Sequence, residues 1–452
     1  VELDRFTGRT VSQGVLWGDL ANVSTYLGTA NRISFNGLYN RSGDNDARVE
    51  TGTLTSDGIR ARITRMQYVE RGVYSGQLSG EHQINASNRF DWSATSSGVR
   101  RHEPDRSEFV QSIDQDTPGG PDVYRWVTGG SGGAVRTFSD LRESSHEYQG
   151  AYRLDFGSPS NQMMLKAGAL YRTTSRDAQS LSFAITAHGL SNADRALPPE
   201  QIFDGRFTKP TSAALSLGPL SQGGSYQARD EIRAAFVMAE VPVTSRIRVV
   251  GGARYESDRL EVDAFSTLGS PVNTHKVWDD LLPSLAFNVR LTDKQQLRVS
   301  ASRTLARPEY RELSPIISRD VVGGENLRGD ENLQRTQVEN ADVRWEYYPR
   351  QGETFSLAAF AKKFRNPIER VYGAGSGGTS FVFFTNAESA DNYGIELEAR
   401  KDLDQLGRFF SPYTVFANVT VMESRIHLSD VIQAAATNSS RRMVGQAPYV
   451  IN

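Results

Sequence analysis

Cysteine is absent from the 452 residues, which removes disulfides, thiolate nucleophiles and zinc–thiolate sites. Long hydrophobic runs are absent too. Mean hydropathy is −0.48, and no stretch approaches the roughly 18 apolar residues that a membrane-spanning helix needs. Net charge is nearly missing: 51 Lys and Arg against 53 Asp and Glu leave −2, so nothing marks the chain for nucleic acid. Histidine is scarce. His82, His102, His146, His188, His275 and His427 are spread so widely that no triad or metal-ligand spacing emerges, and the chain reads as a non-enzyme without metal or cofactor. Val1-Glu2-Leu3-Asp4 has neither the basic start nor the apolar core of a signal peptide; either processing removed one or the chain begins mid-protein.

What is present is a period of two. Tyr148, Gly150, Tyr152, Leu154 and Phe156 fall on one side of an extended segment, and Glu147, Gln149, Arg153 and Asp155 on the other. Leu285, Phe287, Val289 and Leu291 oppose Ser284, Asn288 and Arg290. Leu297, Val299 and Ala301 oppose Arg298, Ser300 and Ser302. Ala341, Val343, Trp345 and Tyr347 alternate with Asp342, Arg344 and Glu346, and Ile395, Leu397 and Ala399 with Glu396, Glu398 and Arg400. Polar sets this dense need water on one face, and segments of about ten residues exceed the strands of a soluble sandwich. The pattern is that of a transmembrane antiparallel β-barrel, whose strands average out polar.

Short turns are predicted near residues 28–31, 85–88, 157–161, 242–245, 292–295, 349–352 and 404–408, and long loops over 41–65, 100–143, 173–228, 257–278, 304–337, 366–388 and 423–440. Short turns on one rim and long loops on the other mark an outer-membrane barrel. Two strands per turn and one more at the end give about 15, all in one domain over 1–452. An odd count leaves a sheet edge unpaired in lipid, so the expectation is a chain incomplete at both ends.

Residues 296–313, QLRVSASRTLARPEYREL, resemble the strand and "S-x-T-x-x-R-P-x-[YF]-R-E-L" element of TonB-dependent outer-membrane receptors, especially the branch common in Bacteroidetes. Residues 324–348, 360–369, 385–398, 251–256 and 445–452 resemble further signatures of that family in order. The resemblance implies a 22-stranded barrel in the outer membrane of a Gram-negative bacterium, with a plug that is not in this chain. It also implies a partner in the TonB complex, reached through that plug, and import of a scarce small molecule, saccharide or peptide. A passive porin, and a barrel that anchors a surface lipoprotein or secretion partner, are the alternatives; an outer-membrane hydrolase would need a Ser–His pair.

Candidate site residues follow from charge and aromatics. Tyr124 and Trp126, with Arg101 and Arg106, offer a ligand platform on one long loop. Arg290, Arg298, Arg344, Glu346, Glu396, Glu398 and Arg400 would line the lumen. Arg307, Pro308 and Glu309, from the family motif, read as structural, since Pro308 lacks the N–H that continues a ladder. Gly129 to Gly133 lacks the Lys and Ser/Thr of a phosphate loop, Arg328-Gly329-Asp330 lies inside a family-like segment, and Asp44, Asn45 and Asp46 read as a solvated loop.

Overall fold

A computed structural model describes residues 5–54, 58–158, 161–208, 214–220, 224–266, 271–319, 321, 325–374, 380–429 and 438–452. The strands in chain order are β1 (Arg5–Leu27), β2 (Asn31–Leu54), β3 (Ile59–Asn85), β4 (Asn88–Gln115), β5 (Asp122–Trp126), β6 (Ala134–Ser158), β7 (Asn161–His188) and β8 (Ala214–Pro219). Then come β9 (Gly224–Pro242), β10 (Ile247–Ser266), β11 (Val272–Thr292), β12 (Gln295–Ala306), β13 (Ile317–Arg319), β14 (Asn326–Arg328) and β15 (Thr336–Tyr347). The last are β16 (Thr354–Arg365), β17 (Ile368–Ala374), β18 (Ser380–Asn386), β19 (Ser389–Asp402), β20 (Thr414–His427), β21 (Ser440–Arg441) and β22 (Tyr449–Ile451).

One antiparallel meander organises the chain. It runs β1-β2-β3-β4-β6-β7-β9-β10-β11-β12-β15-β16-β19-β20 and ends with β22 on β20, the fifteen strands that the turns predict. β5, β8 and β21 are short additions to its margin. Among the described residues β1 pairs only with β2, and β22 only with β20, so the sheet does not close on itself. A smaller sheet, β13-β14-β18-β17, is built from the connections that follow β12 and β16.

Among the described residues the short turns near 28–31, 85–88, 242–245, 292–295, 349–352 and 404–408 lie where predicted, while the tip of the one at 157–161 lies outside them, and Gly28 turns the first hairpin at φ +69°, a region that favours glycine. The long loops are different. Residues 41–54 and 59–65 are paired strand, as are most of 173–188 and 257–266, and Asp44, Asn45 and Asp46 sit within β2. The physical reason is that backbone pairing continues where alternation fades. Beyond the band the lipid-type alternation does not carry through, because apolar residues there, such as Ile63, Leu260 and Val262, are packed into buried clusters while the backbone goes on pairing.

That zone is visible in the register. On the bare face of the sheet, Tyr148–Phe156 neighbours Met163–Tyr171 of β7, then Ala235–Val241, Ile247–Tyr255 and Leu281–Leu291. On the next strands Leu297, Val299 and Ala301 pair with Trp345, Val343 and Ala341, and these with Leu357, Ala359 and Ala361, which face Leu397, Ile395 and Tyr393. Immediately beyond the last apolar position stand Arg233, Asp279, Arg303, Glu339, Lys363 and Asp391. At about 3.3 Å per residue and a tilt near 40°, the stretch from Leu281 to Leu291 rises about 25 Å. That is the height of a barrel's lipid-facing band.

Above the band, connections fold over the opposite face at β9 to β11, and the largest apolar cluster forms there. Tyr226, Leu260, Val262, Trp278, Leu313 and Leu333 pack together above the band.

Candidate functional site

The covered face carries a ladder of charge. Arg344 reaches Glu346 at 3.0 Å and Glu398 at 2.8 Å, and Arg298 reaches Glu346 at 3.3 Å. Even-numbered positions share this face across β11, β12, β15, β16 and β19. Glu396 and Arg400 therefore lie in the same rows, and Arg290 bonds the carbonyl of Ser245 at the short-turn rim (2.6 Å).

Where β12 ends, the chain folds onto this face. Pro308 offers no N–H, so pairing stops at Ala306. Glu312 accepts the Glu309 amide at 2.8 Å, while the Glu312 amide returns to the Glu309 carbonyl at 3.0 Å, closing one helical turn. Arg307 spans Glu256 and Asp258 of β10. The Tyr310 hydroxyl donates to Asp230 of β9 at 3.1 Å, and its ring lies 4.8 Å from the guanidinium of Arg176, which is held by Glu143. Leu313 is fully buried in the apolar cluster. Glycine at 329 is required here: a Cβ would lie 2.5 to 2.7 Å from the carbonyls of Glu312 and Arg311. Arg328-Gly329-Asp330 is thus absorbed in packing, with the Gly329 and Asp330 amides on Ser314 and Glu312.

Asp258 stands above Tyr255, beyond the apolar band, and is 1% exposed. Burial, with Asp230 beside it, pushes its carboxyl up to about 7 against the pull of Arg307. Burial likewise raises the Tyr310 hydroxyl. A cavity of about 500 Å³ opens beside this network, lined by Ser97, Ser145, Arg172, Thr174, Arg307 and Glu309 among others. A second hollow of about 480 Å³ lies against the small sheet, between Phe381, Phe383, Phe384 and Arg328. Asp330, Glu331 and Asn332 complete its wall, and aromatic side chains beside groups of both charges suit an amphipathic ligand.

The loop platform is not gathered. Trp126 is wholly buried, its ring 5.9 Å from Phe109 and 5.5 Å from Phe203. Tyr124 lies under Arg62, at 4.0 Å. Arg106 is buried against Glu103 and Glu108, and Arg101 bonds Ser139 at 2.7 Å. Arg101 and Arg106 share Glu103, while the two aromatic rings pack elsewhere in the wall. Arg307, Pro308 and Glu309 do meet, together with residues that sequence reasoning did not single out: Asp230, Glu256, Asp258, Tyr310 and Arg176. Tyr310 and Glu256 carried a signal, their places in the family-like segments 296–313 and 251–256.

The model of the family described as TonB dependent receptor-like, beta-barrel, matches residues 16–452. No curated protein matches the chain by sequence. Among solved structures, the ferric-catecholate import receptor Fiu of E. coli K12 is 12% identical with a TM-score of 0.55, over 96% of this chain and 66% of that one. The pyoverdine outer membrane receptor FpvA of Pseudomonas aeruginosa is 12% identical, TM-score 0.53, over 99% and 64%. The ferric yersiniabactin uptake receptor FyuA of Yersinia pestis is 14% identical, TM-score 0.52, over 99% and 65%. The chain therefore spans slightly less than two thirds of each, and at such identities the likeness concerns the fold. With the family model matched from residue 16 to residue 452, the chain belongs to the β-barrel family of TonB-dependent outer-membrane receptors.

Proposed function

We propose that this chain forms about fifteen strands of a 22-stranded outer-membrane barrel that binds a scarce nutrient at its long-strand end. Import into the periplasm is driven by energy that TonB transmits through a plug. The observation that carries this reading is the apolar band, which ends at one level across neighbouring strands and meets charge immediately beyond it. A sheet built so has lipid on its bare face and water on the other. The wall charges Arg298, Arg344, Glu346, Glu396, Glu398 and Arg400 then border the water-filled, plug-facing side. The hollow at Phe381, Phe383, Phe384 and Arg328 would take the ligand, and ferric chelates, which the similar receptors are named for, head the candidates.

The test is uptake in a strain lacking the full-length gene, across ferric chelates, haem and oligosaccharides, with and without a functional TonB. One nutrient should be lost on deletion and equally lost without TonB. Uptake that persists without TonB would leave a passive porin, and no lost nutrient would leave an anchor for a surface partner. In the complemented strain, Phe383→Ala should weaken binding by about 1 to 3 kcal/mol if that ring stacks on the ligand.

A further inference from the structure

Residues 307–314 cross the covered face over β9 and β10, and what lies beneath them is unusual. Asp230 and Asp258 stand on adjacent strands, Asp258 opposite Ile232 and Asp230 opposite Leu260, so both point to the same face. They are 8% and 1% exposed and in hydrogen-bonding contact, and each keeps one buried oxygen for which the described residues supply no donor. Two carboxylates are acceptors only, so they satisfy each other only if one is protonated.

The surrounding charge agrees. Glu143 of β6, Asp230 of β9, and Glu256 and Asp258 of β10 face the guanidinium groups of Arg176 of β7, Arg254 of β10 and Arg307 of the turn. That is four carboxylates against three cations, while Arg172 and Glu309 on the cavity wall offset one another. On β11 the nearest cation, Lys276, is turned to Asp330 and Glu331. One proton cancels the excess.

We propose that closure of the turn formed by residues 307–314 over the wall is coupled to a single proton held between Asp230 and Asp258, the turn lying closed with it and opening when it leaves.

The direction follows from burial. Beneath the closed turn the Asp258 carboxyl is raised to about 7, whereas a solvated one sits near 4. The closed form binds the proton more tightly, so closure is fully supported below about pH 4 and loses that support as pH rises toward 7. Arg307 does not reverse this, because its attraction is already opposed by the desolvation that dominates.

The absence of cysteine makes the test direct. Ser314 is 2% exposed and its hydroxyl has no partner among the described residues, so Ser314→Cys is a mild reporter of opening. In outer-membrane vesicles holding the full-length receptor, its labelling rate by a water-soluble thiol reagent is measured from about pH 5 to about pH 8. It is normalised to Ser411→Cys, exposed at the short-turn rim, which corrects for thiolate ionisation. The normalised rate should rise at least about tenfold with pH, bounded by the three-unit difference between closed and open forms. Asp258→Asn, whose amide donates without titrating, should hold the rate low at both pH values, and Asp230→Asn serves if the first variant assembles poorly. A flat pH profile in the parent, or an undiminished step in both variants, overturns the proposal and leaves the transport reading untouched.

Discussion

The two ends of the sheet are held by different means. At the short-turn end, hairpins close and adjacent turns clamp each other: Gly28 turns β1 into β2, and Arg350 holds Glu353 of its own turn at 2.7 Å and Asp404 of the next turn, 54 residues on, at 2.7 Å. At the long-strand end the ties reach across 49 to 80 residues, from Arg307 to Asp258 and Glu256 and from Tyr310 to Asp230. The first end is fastened by tight turns and by clamps between neighbouring turns, the second by a chain segment laid over several strands. A local clamp fails alone, whereas an overlaid segment carries several strands with it.

The sharpest way to break this contrast is Arg307→Ala. It leaves Asp258, 1% exposed, without its cation and Glu256, 7% exposed, with Arg254 alone, and stranding a buried carboxylate costs about 3 to 5 kcal/mol. Arg307→Lys should recover only part, since a point charge cannot span both acids. Urea unfolding of the purified receptor in lipid reads both. Equal stability for the alanine and lysine variants would mean that packing, not charge, fastens the turn.

How much of this was legible beforehand follows the same division. The apolar band was readable because lipid on one face and water on the other force strict alternation, as at Tyr148 to Phe156. The turns were readable through Gly28, Pro349 and Gly352. Residues 41–65 were not, because 41–48 carry no apolar alternation and the short Ile59, Ala61, Ile63 alternation reports a buried cluster with Leu54, Val110 and Val135 rather than the lipid band. The network at Asp230, Asp258 and Tyr310 joins residues up to 80 apart, and no local pattern encodes that separation. Trp126 misled for a related reason: an aromatic amid charges reads as a platform until Phe109, Phe203 and Ile202 are seen to enclose it.

A second test compares apolar side chains. Leu313 is completely buried among Tyr226, Leu260 and Trp278, so Leu313→Ala should cost about 2 to 5 kcal/mol. Leu406, two thirds exposed at the short-turn end, should lose no more than about 0.5 kcal/mol on the same truncation. Similar losses at both would show that the rim is packed by more than its own turns.

The smallest effect, and the one that separates the ends by sign, is acid. Arg350 first, then Lys401 at 2.9 Å, holds the Glu353 carboxyl below the usual range, and Arg350 does the same to Asp404. Groups with depressed values stabilise the fold above the ordinary carboxyl range and lose that contribution as pH falls through it. The short-turn clamp should therefore loosen between about pH 5 and about pH 3. Glu353→Gln should lower the urea midpoint slightly at neutral pH and converge on the parent in acid; parallel curves would mean that Glu353 does not titrate within the clamp. At the other end acid supplies the proton that Asp230 and Asp258 share, so the same fall in pH that slackens the Arg350 clamp should slow labelling at Ser314→Cys. A receptor whose two ends respond to acid in opposite directions carries two separate fastenings, and one whose ends move together carries a single cooperative unit.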